Sequence, residues 1–210
     1  MKLQKTTLLL MFLALSLGGL VYWYETQAAP QRVAAKAQDQ QIFDFEEDQI
    51  ESITIKKQEQ TLKFERVDQK IGEKARISPW QMKIPVNAIA SDAAVSYLLD
   101  LLVKGKSDRL LTVSTNQRQE YGLDKPLATI EVKLKDQKEH KLILGKPDFS
   151  GSFLYAQADL QVNTPQKIKV LLVSKDFENA VQRPLSEWQN KEETNKNSEK
   201  SRQSSPSSSP

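Results

Sequence analysis

The feature that most constrains this chain is an uncharged, apolar stretch near its start. Residues 6–24 contain no charged side chain, and Lys2 and Lys5 precede them. A helix over these residues would be roughly 28 Å long, which is about the thickness of the hydrocarbon core of a bilayer. Because flanking positive charges stay on the cytoplasmic side, we expect a single-pass membrane protein with a cytoplasmic N-terminus.

Such a stretch is either an uncut anchor or a cleaved secretory signal. The apolar core of a signal is usually about 7–15 residues long and ends in small residues. Here the stretch is longer and ends in aromatic side chains, which prefer the headgroup level. Cleavage after Ala29 would place Gln27 where a small residue is needed, so we predict an uncut anchor over residues 1–24 and keep cleavage as the alternative. The predicted anchor residues are Leu8, Leu9, Leu10, Phe12, Leu15, Leu17, Leu20, Tyr22, Trp23 and Tyr24.

Composition divides the remaining chain into three segments. Residues 25–41 are rich in Ala and Gln and predict a helical or flexible stalk. Residues 42–188 carry no net charge and are numerous enough for one domain with its own core. Residues 189–210 have no apolar side chain besides proline and predict a disordered, Ser-rich tail. The chain's net charge of +3 therefore comes from its ends, and we expect no nucleic-acid partner.

Few residues in the sequence indicate catalysis or the binding of a metal, a phosphate or a cofactor. The absence of cysteine excludes disulfides, thiolate metal sites and a cysteine nucleophile. His140 is the only histidine, so we interpret it as a solvated side chain, and we expect no metal and no cofactor. Gly105-Lys106-Ser107 lacks the earlier glycine of a phosphate-binding loop, because Asp100 occupies that position. We predict no catalytic residues, although a Ser–Lys or two-carboxylate pair distant in sequence remains open.

Alternating polar and apolar residues predict two antiparallel hairpins. Ser52–Ile55 pairs with Thr61–Glu65, and Thr129–Leu134 pairs with Lys141–Leu144. In both hairpins the apolar side chains share one side, which is typical of a half-buried sheet.

A shorter strand and a helix signal follow each hairpin. The strands are Trp80–Ile84 and Phe153–Gln157, the helices begin near Ser91 and Ser174, and a further short helix is predicted over Val113–Leu123. The fold class is therefore α+β, with an N-terminal transmembrane helix, antiparallel hairpins and short packed helices. The pattern fits two tandem ββ-β-α units, and chance repetition within one α+β domain is the alternative.

One motif resembles a known family. The sequence YGLDKP at Tyr121–Pro126, followed by a hairpin and Gly145, resembles the DUF4340 family. The other matching positions are Ile53-Thr54-Ile55, Trp80-Gln81-Met82, Pro85, Asp92 to Val95 and Tyr155. The resemblance covers most of residues 42–184 and is closest to membrane-anchored, single-domain members from cyanobacteria. Within the motif, the predicted turn is formed by Tyr121, Gly122, Leu123, Asp124 and Pro126.

The resemblance implies a place in the envelope and no particular reaction. The family has no established activity and no defined catalytic residues, and some members resemble accessory components encoded beside ABC-type transport and gliding-motility genes. We interpret the chain as a non-enzymatic envelope protein whose domain 42–188 lies in the periplasm or lumen and binds a protein of a transport or membrane-assembly complex. The alternative is a carrier or sensor of a small apolar ligand, and a third hypothesis is an enzyme with two titratable groups in a cleft.

Overall fold

The computed structural model of the chain describes residues 13–14, 16–19, 22–23, 40–67, 79–159 and 166–190. The chain divides into two compact units between Gln40 and Gln41. In the first unit the described residues before Gln40 are helical. Within the described ranges, no helix is both long and apolar enough to cross a membrane.

Most of the predicted anchor lies outside the described residues. Leu17, Tyr22 and Trp23 are helical and exposed. Outside the described ranges lie Leu8, Leu9, Leu10, Phe12, Leu15, Leu20 and Tyr24. The same holds for residues 25–39 of the predicted stalk and residues 191–210 of the predicted tail. The anchor, residues 25–39 of the stalk and residues 191–210 of the tail therefore stay predictions. At Gln189 and Asn190 the predicted disorder is wrong, because both residues pair with the sheet edge at Ile89 and Ala90.

The second unit is built on one large antiparallel sheet with a few short helices. The nine strands formed by the described residues lie in the order β4-β3-β2-β1-β6-β7-β8-β9-β5, so β1 and β6 pair at the centre. The strands are β1 (Ile50–Lys56), β2 (Thr61–Arg66), β3 (Trp80–Ile84), β4 (Ala88–Ile89), β5 (Arg109–Ser114), β6 (Ala128–Leu134), β7 (Glu139–Pro147), β8 (Phe153–Ala158) and β9 (Lys167–Ser174).

The two predicted hairpins are confirmed, and they lie side by side. Ile53 of β1 is opposite Phe64 of β2 on one side and Val132 of β6 on the other. All three side chains are buried and point to the same face, whereas the alternate residue Thr54 points to the opposite face. The alternation in the sequence thus sets the register of the central strands, because a slip by one residue would expose this apolar row.

Two helices cover the apolar face of the sheet. Helix α1 (Asp92–Lys104) begins at Ser91, whose Oγ accepts a hydrogen bond from the Ala94 amide, as the sequence predicts. Helix α2 (Asp176–Val181) follows β9 directly. Both bury one side in a main core that includes Phe43 and Phe45 of the segment leading into β1. The main core also encloses Trp80 and Trp188, and the ring centroid of Trp188 lies 5.0 Å from that of Phe64.

Three strands go beyond the predicted set, and one predicted helix is partly wrong. Val113 belongs to β5, so helical structure begins only at the 3-10 helix Thr115–Tyr121. The strand β9 buries Val170 on one face and Val173 on the other. A strand that is buried on both faces loses the polar–apolar alternation by which strands are identified. The strand β4 has only two residues, which is too short for an alternating pattern to be recognised.

Candidate functional site

The side of the sheet opposite the helices is covered over only half of its width. We call the uncovered half, formed by β1, β2, β6 and β7, the open face. Thr54 of β1 is opposite Lys63 of β2 and Glu131 of β6, and Glu131 is opposite Lys141 of β7. These side chains line a concavity of about 600 Å³. The open face is therefore a preformed polar surface on rigid strands.

The charges of the open face are engaged with one another. Glu131 lies between two lysines, with one carboxylate oxygen 2.7 Å from Lys56 Nζ and the other 3.2 Å from Lys141 Nζ. Burial opposes ionisation of Glu131, but the hydrogen bonds from these two ammonium groups outweigh it and hold the pKa of the carboxyl below its ordinary value. The arrangement keeps Glu131 ionised at neutral pH, which is unlike a general acid poised to donate a proton.

His140 lies at the rim of this concavity, and the prediction that it is a solvated side chain is wrong. Its Nδ1 lies 2.8 Å from Asp159 Oδ2, and its imidazole packs against the rings of Phe43 and Phe45. The other oxygen of Asp159 accepts a hydrogen bond from the Lys141 amide at 2.7 Å. The pair thus ties the segment before β1 to the ends of β7 and β8, which is a structural task. Among the described residues, no three His, Cys, Asp or Glu side chains are grouped to hold a metal ion.

The predicted turn at Tyr121–Pro126 covers the other half of this side. Tyr121 ends the 3-10 helix, and Leu123 is buried against Ile168 and Val170 in a second, smaller core. The ring of Tyr121 packs edge-on against Tyr155 of β8, with centroids 4.9 Å apart. The motif that carries the family resemblance therefore packs on the side of the sheet opposite the helices. We call residues 121–126 the cover segment.

Arg118 holds the cover segment in place, although no pattern in the sequence singles it out. Its guanidinium donates to Asp124 Oδ1 at 3.0 Å, to the Leu123 carbonyl at 3.2 Å and to Gln157 Oε1 at 2.6 Å. Gln157 lies buried on β8, so the guanidinium joins the cover segment to the sheet beneath it. Pro126 is half-buried and leads from the cover segment into β6.

Two glycines permit this close approach. Gly122 has φ of 73°, and a Cβ there would lie 2.7 Å from the Lys146 amide nitrogen. At Gly145 a Cβ would lie only 2.1 Å from the Tyr121 carbonyl oxygen. The glycine that the sequence places after the second hairpin therefore has a steric reason, because the backbone of the cover segment rests directly on the strand.

The two edges of the sheet differ. At β4 the chain's own C-terminal segment closes the edge, since Ala90 pairs with Gln189 and the Asn190 amide donates to the Ile89 carbonyl. At the other edge, no strand of the described ranges pairs with the outer side of β5. The strand β5 has no proline, pairs with β9 without a bulge, and exposes 46% of Leu110. Apart from the charged Arg109 at its start, it therefore lacks the devices that usually protect a sheet edge.

Together these features define an α+β domain whose preformed surfaces are an open polar face and an unprotected strand. The chain belongs to the family described as "Domain of unknown function (DUF4340)", and the sequence model of that family matches residues 80–203, which is more than half of the chain. The match begins at Trp80 of β3 and includes the cover segment and Gly145, in agreement with the resemblance seen in the sequence. No curated protein and no solved structure matches the chain.

Proposed function

We propose that this chain is a membrane-anchored, non-enzymatic envelope protein whose extracytoplasmic domain binds a protein partner by strand addition at β5. The anchor predicted over residues 1–24 and the absence of net charge in residues 42–188 support the location. The partner-binding role is supported by one observation above all, the unprotected outer edge of β5. Transport and membrane-assembly complexes are the classes of partner that the family resemblance favours.

The hydrogen-bonding directions along β5 identify the backbone groups that are available for strand addition. The Thr115 amide donates to the Gln166 carbonyl in line with the β5–β9 register. Since hydrogen-bonding direction alternates along a strand, the backbone groups of Val113 and Leu111 also face β9, and those of Thr112 and Leu110 face outward. An extended segment of a partner could pair with these outward groups, as in other strand-addition complexes.

The other two hypotheses receive less support. Both described concavities are lined mainly by charged and polar side chains, which suits neither a carrier nor a sensor of an apolar ligand. An enzyme would need a cleft with a poised acid and base. On the open face Glu131, Lys56 and Lys141 are instead engaged in close ion pairs with one another, which supports an enzyme less well.

The proposal includes a repeated architecture. We infer that the domain contains two tandem units, each with four strands followed by a helix. The mirrored order β4-β3-β2-β1 and β6-β7-β8-β9 supports this inference, as does the position of α1 after β4 and α2 after β9. Under this inference β5 belongs to neither unit, which leaves it as an addition at one edge.

Site-specific photo-crosslinking of the full-length chain in its native membrane tests the binding mode. A photoreactive residue at Thr112 should give an adduct of defined mass, whereas the same residue at Ser186, near the closed edge, should not. Leu110→Pro removes an outward-facing amide and should abolish the adduct, and Leu110→Val keeps that amide and should retain it. Equal adducts from both positions, or an adduct that survives Leu110→Pro, would refute strand addition at β5.

A further inference from the structure

The turn between β7 and β8 presents a fully exposed aromatic side chain. Phe149 is 98% exposed, although the turn that carries it is well ordered by hydrogen bonds. The Asp148 carboxylate is buried and accepts from the Ser150 hydroxyl at 2.8 Å and from the Phe153 amide at 3.1 Å. Gly151 adopts a φ of 70° and donates its amide to the Asp148 carbonyl. The structure therefore holds the phenyl ring away from the domain.

The buried Asp148 carboxylate is committed to this turn. Burial opposes its ionisation, but the hydrogen bonds from the Phe153 amide and from Ser150 lower its pKa below the ordinary value. The carboxylate oxygens are thus occupied inside the turn, although the negative charge remains because both donors are neutral groups. The Asp-Phe-Ser-Gly sequence is a turn signature, and nothing in turn formation requires a phenylalanine at its second position.

Other exposed apolar side chains lie at the same end of the sheet. The strands β1, β3, β7 and β9 run in one direction, so the turns that follow β3 and β7 share that end. Ile84 at the end of β3 is 43% exposed, and Val86 in the turn that follows is 41% exposed. Apolar side chains on two separate turns thus project from one end of the domain, which we call the Phe149 end.

Cationic side chains outnumber acidic ones at the Phe149 end. Lys175 follows β9, and its amide lies 3.4 Å from the Ser152 carbonyl of the aromatic turn. The cationic residues in the turns and strand ends there are Lys57, Lys106, Arg109, Lys125, Lys146 and Lys175. The acidic residues are Glu59, Asp108, Asp124, the buried Asp148 and Asp176, of which Asp124 is paired with Arg118. This excess of positive charge favours contact of the Phe149 end with a negatively charged surface.

We propose that the Phe149 end is a second lipid contact, in which Phe149 enters the headgroup region of a bilayer that contains anionic lipids. An aromatic ring on a rigid turn with lysines around it matches the pattern of interfacial anchoring, in which apolar groups enter the headgroup boundary and cations meet anionic lipid. This inference rests on the proposed membrane anchor, because residues 25–40 would keep the domain within reach of the bilayer. The β5 edge is left free for a protein partner.

The test uses the full-length chain in vesicles of phosphatidylethanolamine and phosphatidylglycerol. Because the chain has no cysteine, Ser152→Cys and Lys138→Cys each give one labelling site for an environment-sensitive fluorophore. Ser152 lies in the aromatic turn, and Lys138 lies in the β6–β7 turn at the opposite end of the sheet. We expect blue-shifted emission at position 152, with about twofold or greater quenching by nitroxide-labelled lipid, and no such change at position 138.

Phe149 is tested by substitution in the Ser152→Cys chain. Phe149→Ser should remove the quenching, because it removes the ring, and Phe149→Trp should retain it. Both variants keep Asp148, Ser150 and Gly151, which form the hydrogen bonds of the turn. An unquenched reporter in vesicles that carry the chain would overturn the lipid contact, and a blue shift without lipid quenching would overturn it in favour of a protein contact. Neither result would affect crosslinking at Thr112. A chain that does not float with the vesicles would refute both the anchor and the lipid contact.

Discussion

Gly145 lies beneath the cover segment at a point where a side chain has no room. A Cβ at this position would lie 2.1 Å from the Tyr121 carbonyl oxygen and 3.1 Å from that of Tyr155. Both atoms belong to the backbone, so neither can move aside by a change of rotamer. Gly145→Ala must therefore lift the cover segment or bend β7.

The cost of lifting the cover segment can be estimated from what it buries. Exposing Leu123 costs about 2 kcal/mol, and weakening the hydrogen bonds of Arg118 to Gln157 and the Leu123 carbonyl adds about 1 kcal/mol. We expect Gly145→Ala to lower the free energy of unfolding by about 3 kcal/mol. Gly151→Ala is the matched control, because φ is 70° there but nothing lies near the added Cβ, so about 1 kcal/mol is expected.

The assay is urea unfolding of the full-length chain in detergent micelles, followed by the fluorescence of the buried Trp80 and Trp188. Trp23→Phe in every variant, including the reference, removes the remaining tryptophan signal. Equal losses of stability at Gly145 and Gly151 would show that the close backbone contact does not exist, and the account of the cover segment would then be wrong.

Three further predictions use the same assay. Arg118→Met should cost about 2 kcal/mol, and Asp124→Asn less than about 1 kcal/mol, since Asp124 is the more exposed partner; a larger loss for Asp124→Asn would contradict this order. Trp188→Ala should cost about 3–5 kcal/mol, because it leaves a cavity beside Phe64, and a change below about 1 kcal/mol would count against that packing. Glu131→Gln should cost about 1 kcal/mol at neutral pH. Because the folded pKa of Glu131 is lowered, this contribution is complete above the ordinary glutamate pKa of about 4.3 and is lost as pH falls through the folded value. The two stabilities should therefore converge in acid, and a difference that stays constant with pH would refute the ion-pair origin.

The central sheet could be predicted from the sequence because its two faces differ. In β1 and β6 the helix-covered face is apolar and the open face is polar, so Ile53 and Thr54 reveal their directions by residue type alone. In β9 that contrast is lost, since Val170 and Val173 are buried on opposite faces. The strand most difficult to identify is therefore one that is buried on both sides.

The candidate surfaces were less predictable than the strands. The turn at Tyr121–Pro126 could be located from its glycine and proline. Its role as a cover depends on the hydrogen bond between Arg118 and Gln157, two residues that are distant from each other in sequence and carry no local signal. His140 illustrates the same limit, because the aromatic rings and the carboxylate around it come from the segment before β1 and from the end of β8. Local pattern indicates where backbone turns, whereas these contacts depend on the complete topology.

The position of Trp188 has a consequence for the order in which the domain is completed. Its ring fills the main core beside Phe64, and the two residues after it close the edge at β4. A nascent chain that ends before residue 188 lacks this part of the core and leaves both sheet edges unpaired. Folding of the domain is therefore expected to finish only after synthesis has passed this point.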